Sequence, residues 1–537
     1  MTNKIYILLL ALTVTMVSCS DFLVEENKSN VTAESFYVTA EGFEALVNAN
    51  YSQLRNIYGD DAWLFCAGTD LYAQGRTPEP DGLSQYRDLN PSSEGVDHLY
   101  NTCYRAIQTA NQAIYYADLT EQTSDLNTRV AEVQYLRANA YFLLVQTYGG
   151  VGLITEYINE PILEFDRNSA EDVYTFIIGE LQKSIDVLPG GDFNGRVNKR
   201  AAQHLLGKVY LTRGYETFGS ASDFSTAASL FDQAINGQAL DIPFGELWSP
   251  DNEKNAEVLF SVQYSAGSVS ADPFELGNRQ SSYFGPYQGG SEIAGDAPYR
   301  TYTLCPTDFA IDLFTQDDER YDGTFMHTTY DRYFDFYFVD DPSGLGIFHY
   351  YAPAWASSAQ DQADFEAQNP DATFHAYGTY GAGVASSDYQ TIPVRKFDDP
   401  TAPFGEKTST RDIVLSRVGD TYLLAAEAYL QSGDAGTGLN RLNTVRERAG
   451  VAAATSGEFD LDYILDERGR ELLGEYHRWF DLKRTKKLVE RASAHHYLIE
   501  ESNFDGANGE LKILRPIPQS ALDLNQNRSF PQNPAYN

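Results

Sequence analysis

The chain has 537 residues, enough for a large core, and carries 76 acidic against 39 basic side chains, a net charge of -37. That excess repels phosphate backbones and anionic headgroups, which excludes nucleic acid as a partner. Disorder is excluded too: 42% of residues are hydrophobic, and acidic disordered chains do not carry 37 Tyr and 30 Phe.

The first elements lie at the N-terminus. Lys4 gives a positive start, and Ile5 to Val17 is an apolar run broken only by Thr13 and Thr15, with small Ser18 behind it. This is the layout of a secretory signal peptide over residues 1–18. The run falls short of the roughly 20 apolar residues of a membrane span. Met16-Val17-Ser18-Cys19 resembles a bacterial lipobox, so Cys19 is expected to be acylated and residues 19–35 to form a lipidated tether. The remaining Cys66, Cys103 and Cys305 are odd in number, so at least one thiol stays unpaired and disulfides are not the scaffold. The absence of any Cys-x-x-Cys pair weighs against a thiolate zinc site.

From Glu41 the spacing turns helical, with Phe43, Leu46, Val47, Asn50 and Leu54 near a 3.6-residue period. Residues 60–95 read as loop, and Val96–Asp118 as a second helix. An internal repeat follows. Leu206-Gly207-x-x-Tyr210 with Ala227, Phe231 and Ala234 fits the helix pair of a tetratricopeptide repeat. Ala138-x-x-Tyr141 with Leu181, Ser184 and Pro189 repeats the spacing, as does Ala426-x-x-Tyr429 with Ala435 and Leu439. In such pairs the small residue lets two helices approach and the large one fills the gap beside it. The expected fold is therefore mostly α, with tetratricopeptide-like helix pairs stacked into an α-α superhelical body, about 36–240 and 410–537. Between these parts, residues 241–409 lose the period and fill with Gly, Pro, Ser, Asp and aromatics, a loop-rich insertion with short strands such as Val258–Tyr264. After Asp412 helices return, one of them running through Leu465–Lys487.

The C-terminal third carries the most specific motifs. They are the block from Asp412 to Gly433, Leu439-Asn440-Arg441-Leu442-Asn443 to Gly450, Ile464 to Leu472, His477-Arg478-Trp479-Phe480-Asp481-Leu482, and the closing Pro516-Ile517-Pro518 and Gln532-Asn533-Pro534. In that order they resemble the SusD/RagB-like outer-membrane lipoproteins of Bacteroidetes, and Tyr141–Gly150 and Cys19–Leu23 fit as well. The resemblance implies a single SusD-like domain over residues 36–537, with the insertion carrying most of the ligand site. It also implies a cell-surface lid that captures oligosaccharides for a SusC-like TonB-dependent transporter, the lipid on Cys19 holding it to the outer membrane. Peptide capture is the alternative within the family. The motif residues Arg417, Glu427, Glu467, Arg468, Arg478 and Asp481 are expected to pair and hold the fold rather than touch ligand.

A sugar presents C–H faces that stack on aromatic rings and hydroxyls that Asp, Asn and Arg can bridge. In the first loop, Asp70, Arg76 and Tyr86 resemble positions where family members place ligand contacts. In the insertion, Tyr283, Phe284 and Tyr287 precede the landmark block Pro306 to Arg320, and Trp355 follows it. No catalytic motif appears: there is no His-Glu-x-x-His, no Gly-x-Ser-x-Gly and no Walker loop, and Gly381-x-Gly383 lacks a third glycine. A surface glycoside hydrolase, needing two carboxylates at hydrolytic spacing, is the rival from another class. No cofactor is expected. Calcium at Asp317-Asp318-Glu319, Asp340-Asp341 or Asp398-Asp399 would have to bind without EF-hand spacing.

Overall fold

A computed structural model describes residues 32–75, 79–250, 252–265, 277–284, 303–383, 390–402 and 408–537. Helix dominates. The long helices are α1 (Ala40–Tyr58), α2 (His98–Ala117), α3 (Leu126–Tyr148), α4 (Ala170–Val187), α5 (Lys199–Gly214) and α6 (Ala221–Ile235), then α7 (Val418–Ser432) and α8 (Ala435–Arg448) beyond the insertion. Several start on side-chain caps the sequence supplies: Ser169 and Ser220 each close a capping box with an Asp three residues on.

Each of these helices packs on the next, and α7 packs on α6 although the whole insertion lies between Ile235 and Val418 in the chain. The stack is therefore continuous across the insertion. The expected small-to-large contacts are present. A Cβ placed on Gly207 would lie 2.7 Å from the Phe231 ring, so only glycine lets α5 and α6 come this close. Tyr141 and Leu181 are fully buried between α3 and α4, and Ser184 Oγ donates to the Ala131 carbonyl at 3.0 Å. Tyr429 on α7 donates to Asp232 on α6 at 2.7 Å.

The insertion leaves and rejoins the body through an antiparallel ribbon, β2 (Val258–Val262) against β7 (Ile413–Arg417). It also pairs with the first loop, β1 (Tyr72–Gln74) against β3 (Leu304–Pro306), and has a sheet of its own in β4 (Thr328–Tyr330), β5 (Ile347–Tyr351) and β6 (Thr373–His375). The single helix expected over Leu465–Lys487 is instead three: α9 (Leu461–Glu471), α10 (Arg478–Arg484) and α11 (Leu488–His495). Tyr476 and Lys486 take left-handed backbone at the two breaks. The first break has a physical reason. It turns Glu475 inward to Lys396 (2.5 Å) and Arg417 (2.8 Å) and brings His477 to Lys208 (3.2 Å).

Buried ion pairs join the parts. Arg320 of the insertion meets Asp318 (2.8 Å), Glu467 (2.8 Å) and Glu471 (3.2 Å), and Arg417 meets Glu471 at 2.6 Å. Arg468 bridges Asp420 (2.7 Å) and Asp481 (2.8 Å), and Arg484 links Asp481 (3.0 Å) to Glu427 (2.8 Å). The motif arginines and carboxylates are structural, as their buried pairing requires. Cys66, Cys103 and Cys305 are buried as thiols, outside any disulfide.

Candidate functional site

The structure withdraws several residues from ligand contact. Asp70 is fully buried, and its two oxygens accept from Arg478 (2.7 and 2.5 Å) and Arg491 (3.0 Å). Burial alone would raise its carboxyl, but the two guanidiniums outweigh that and hold it low. Tyr86 is also core: its hydroxyl donates to the Gly68 carbonyl (2.7 Å) and accepts from Trp479 (3.1 Å), and its ring stacks on Phe504 at 4.1 Å. Tyr283, 4% exposed, donates to Asp61 at 2.8 Å, and Phe284 packs between Tyr72 and Phe397. These are corrections with one cause: each side chain gains more from a specific core partner than an exposed loop position would offer. Arg76, Tyr287 and Cys19 lie outside the described residues.

Trp355 stays at the surface. It sits on a single 3₁₀ turn (Ala354–Ala356), half-buried, its ring edge-on to Tyr321 at 5.1 Å. Ser357, at the end of that turn, accepts the Tyr377 amide at 2.7 Å. Tyr377 is 40% exposed and donates its hydroxyl to Asp312. That bond, made by the neutral phenol, pushes Tyr377 up to about 12.

The strip continues along the one-turn helix Asp308–Asp312, capped by Thr307. Burial and then the charge of Asp312 raise the Asp308 carboxyl above its usual range. A Cβ on Gly381, whose φ is +124°, would fall 2.3 Å from Asp308 Oδ1. The Gly381-x-Gly383 pair thus serves close approach to a carboxylate rather than phosphate binding. Gly383 in turn faces Tyr497, which is 50% exposed; a methyl group added at Gly383 would stand 3.7 Å from the Tyr497 Cβ. Phe309 stacks on His495 at 3.8 Å beside it, with the Arg491 guanidinium over the Phe309 ring.

Trp355, partly buried, and the exposed Tyr377 and Tyr497 are thus connected through Ser357, Asp312, Asp308 and Gly383, with the carboxylates of Asp308 and Asp312 exposed. Surface rings with acceptors beside them suit a ligand that is apolar on its faces and hydroxylated at its rim. Sequence reasoning misses Tyr377 and Tyr497. They stand 120 positions apart in unpatterned loops, and only the fold unites them. Of the acidic pairs considered for calcium, Asp318 is spent on Arg320, Asp398 accepts from Tyr333 and Tyr337, and Asp399 from Ser409 and Thr401. Among the described residues no group of three or more His, Cys, Asp or Glu is placed to hold a metal ion.

Comparison with known proteins agrees with this architecture. Residues 256–536 match the family model described as the SusD family, and residues 21–211 match one described as "Starch-binding associating with outer membrane". The chain belongs to the SusD family. Within it, this SusD-family chain is 26% identical to SusD-like protein P2 of Formosa agariphila, over 99% of this chain and 100% of that one. It is 24% identical to the starch-binding protein SusD of Bacteroides thetaiotaomicron, covering 83% and 80%. A solved laminarin-binding SusD-like protein superposes with a TM-score of 0.70 at 23% identity, covering 93% of this chain and all of the other. The buried arginine–carboxylate pairs lie within the C-terminal part of this chain, whereas the rings lie on loops of the insertion and on the short segment after α11.

Proposed function

We propose that this protein is a non-catalytic glycan-binding lipoprotein that captures oligosaccharides at the cell surface and passes them, unaltered, to a SusC-like TonB-dependent transporter. The lipid on Cys19 would hold it to the outer membrane. The observation that carries the reading is the run of partly or fully exposed rings Trp355, Tyr377 and Tyr497, linked through Asp308 and Asp312. Stacked rings bind sugar faces, and each is worth about 0.5–1.5 kcal/mol beyond its buried area. Supporting it, relatives are named for starch and laminarin binding, and one matching family model is described as associating with the outer membrane.

Calorimetry and affinity electrophoresis against laminarin, starch and other neutral polysaccharides test it, with Trp355→Ala, Tyr377→Ala and Tyr497→Ala. Each substitution is expected to weaken binding of the preferred glycan about tenfold. Binding indifferent to all three would remove the strip from the site. Tight peptide binding with no glycan retained would replace glycan by peptide, and release of new reducing ends would make the protein a hydrolase.

A further inference from the structure

A cavity of about 60 Å³ lies where α3 and α5 meet the β2–β7 ribbon and the break at Tyr476. Its lining is mixed, with the rings of Tyr135, Phe142 and Phe260 beside the polar side chains of Gln146, Lys208 and Ser416. Two of those polar groups find no partner in the protein. Gln146 is 3% exposed and Ser416 5%, and neither Gln146 Oε1 nor Ser416 Oγ makes a hydrogen bond. Lys208 reaches the cavity from α5, and its side chain's one hydrogen-bond partner among the described residues is His477 Nδ1, at 3.2 Å. An ammonium has three N–H groups, so two of them remain to be satisfied.

These unmet groups differ in kind: Gln146 offers an acceptor, Lys208 offers donors, and Ser416 offers either. An anion would suit Lys208 alone, and the surrounding charges leave no room for one. Lys208, Arg468 and Arg484 stand against Asp420, Asp481 and Glu427, three positive groups against three negative. Burial pushes the imidazoles of His204 and His477 down to about 3 and about 4, so both are uncharged near neutral pH. Glu475, also in the lining, is taken up by Arg417 at 2.8 Å and Lys396 at 2.5 Å. The set is therefore neutral with Lys208 protonated and negative without that proton. A cation would face the N–H groups of Lys208. Water is neutral and can both donate and accept. Size agrees: a buried water needs about 10–15 Å³, so the cavity has room for about four. Cavities that stay dry are lined by apolar groups, and this one is not.

We propose that this cavity is an internal hydration site, in which a cluster of about four ordered waters bonds Lys208, Ser416 and Gln146 together. The cluster joins β7, at the root of the insertion, to helices α3 and α5. It supplies the acceptors that Lys208 lacks and the donor that Gln146 Oε1 lacks.

The test uses the full mature chain with Ser416→Val and Gln146→Met, variants that remove a polar partner while keeping or adding bulk. Magnetic relaxation dispersion of solvent water should show fewer long-lived waters in either variant than in wild type. Both variants should melt about 2 °C below wild type, because the water that bonds Lys208 loses a partner. In a dry cavity the same changes would fill space and remove an unbonded polar atom, so the melting temperature would rise. Variants that melt above wild type, with an unchanged count of long-lived waters, overturn the proposal. If Ser416→Val does not fold, Ser416→Ala decides by the same criteria. Crystals of the wild type soaked in sodium bromide separate water from an anion. Density for waters beside Lys208 with no anomalous signal is expected, and a bromide peak there overturns the hydration site in favour of an anion site.

Discussion

Asp70 shows how a residue that looks exposed in sequence is claimed by the core. Its carboxylate sits between Arg478 and Arg491, 408 and 421 positions away, and no local pattern announces such a pairing. Asp70→Asn should leave both guanidiniums short of charge in a buried site and cost about 3–5 kcal/mol. Denaturant unfolding would show this, while the folded fraction keeps its glycan affinity; a loss of affinity without a loss of stability would return Asp70 to the ligand. Glu257 gives the opposite electrostatic case. Burial raises its carboxyl to about 7 in spite of Arg448 at 3.2 Å and Arg417 at 3.9 Å. The folded protein thus keeps this proton up to about pH 7, whereas the unfolded chain releases it near 4.5. Its contribution to stability is complete below pH 4.5 and is lost as pH rises to 7. Asp481, lowered to about 2 from 3.8 by Arg468 and Arg484 against the pull of burial, works the other way and loses its contribution in acid. Glu257→Gln mimics the protonated form, so it should gain up to about 3 kcal/mol at about pH 8 and nothing at about pH 4. Equal stabilities in the alkaline buffer would mean that Glu257 ionises readily beside Arg448.

Among elements, the helix pairs are legible in sequence because each is encoded over a short stretch of chain. Gly207 and Phe231 form one such code, small against large, and the structure places the ring 2.7 Å from where a methyl on Gly207 would stand. Gly207→Val should push α5 and α6 apart and cost about 1–3 kcal/mol by overpacking. Adding Phe231→Leu should recover part of that loss, since a smaller side chain vacates the same space. Purely additive losses in the double variant, measured by denaturant midpoints, would place the strain elsewhere. The sequence misleads at α9–α11, where the apolar period continues through the breaks at Tyr476 and Lys486. What overrides the period is the buried charge of Glu475, which must face Lys396 and Arg417. The candidate site is the least legible element, because Trp355, Tyr377 and Tyr497 come from three loops with neither helix nor strand spacing to connect them.

Across the whole molecule, two kinds of charge behave differently. The paired charges are buried: Arg320, Arg468 and Arg484 are wholly enclosed with their carboxylates, and salt in solution screens them little. The excess of 37 negative charges lies mostly outside, where it opposes the compact state by self-repulsion. Screening grows as the Debye length falls from about 30 Å at 0.01 M to about 8 Å at 0.15 M salt. Melting temperature should therefore rise as sodium chloride is added over this range, without a matching fall from the buried pairs. The same separation governs ligand choice. Stacking on Trp355, Tyr377 and Tyr497 involves no net charge on a neutral sugar, so affinity for a neutral glycan should not change over the same salt series. A uronate or sulfated chain would instead meet Asp308 and Asp312 and the acidic surface around them, binding poorly in dilute buffer and better as salt is added. Melting curves and calorimetry across the series measure both. A melting temperature that falls with salt would mean that exposed ion pairs, not self-repulsion, dominate the surface. A neutral-glycan affinity that tracks salt would mean that a charged side chain, rather than a ring, makes the decisive contact.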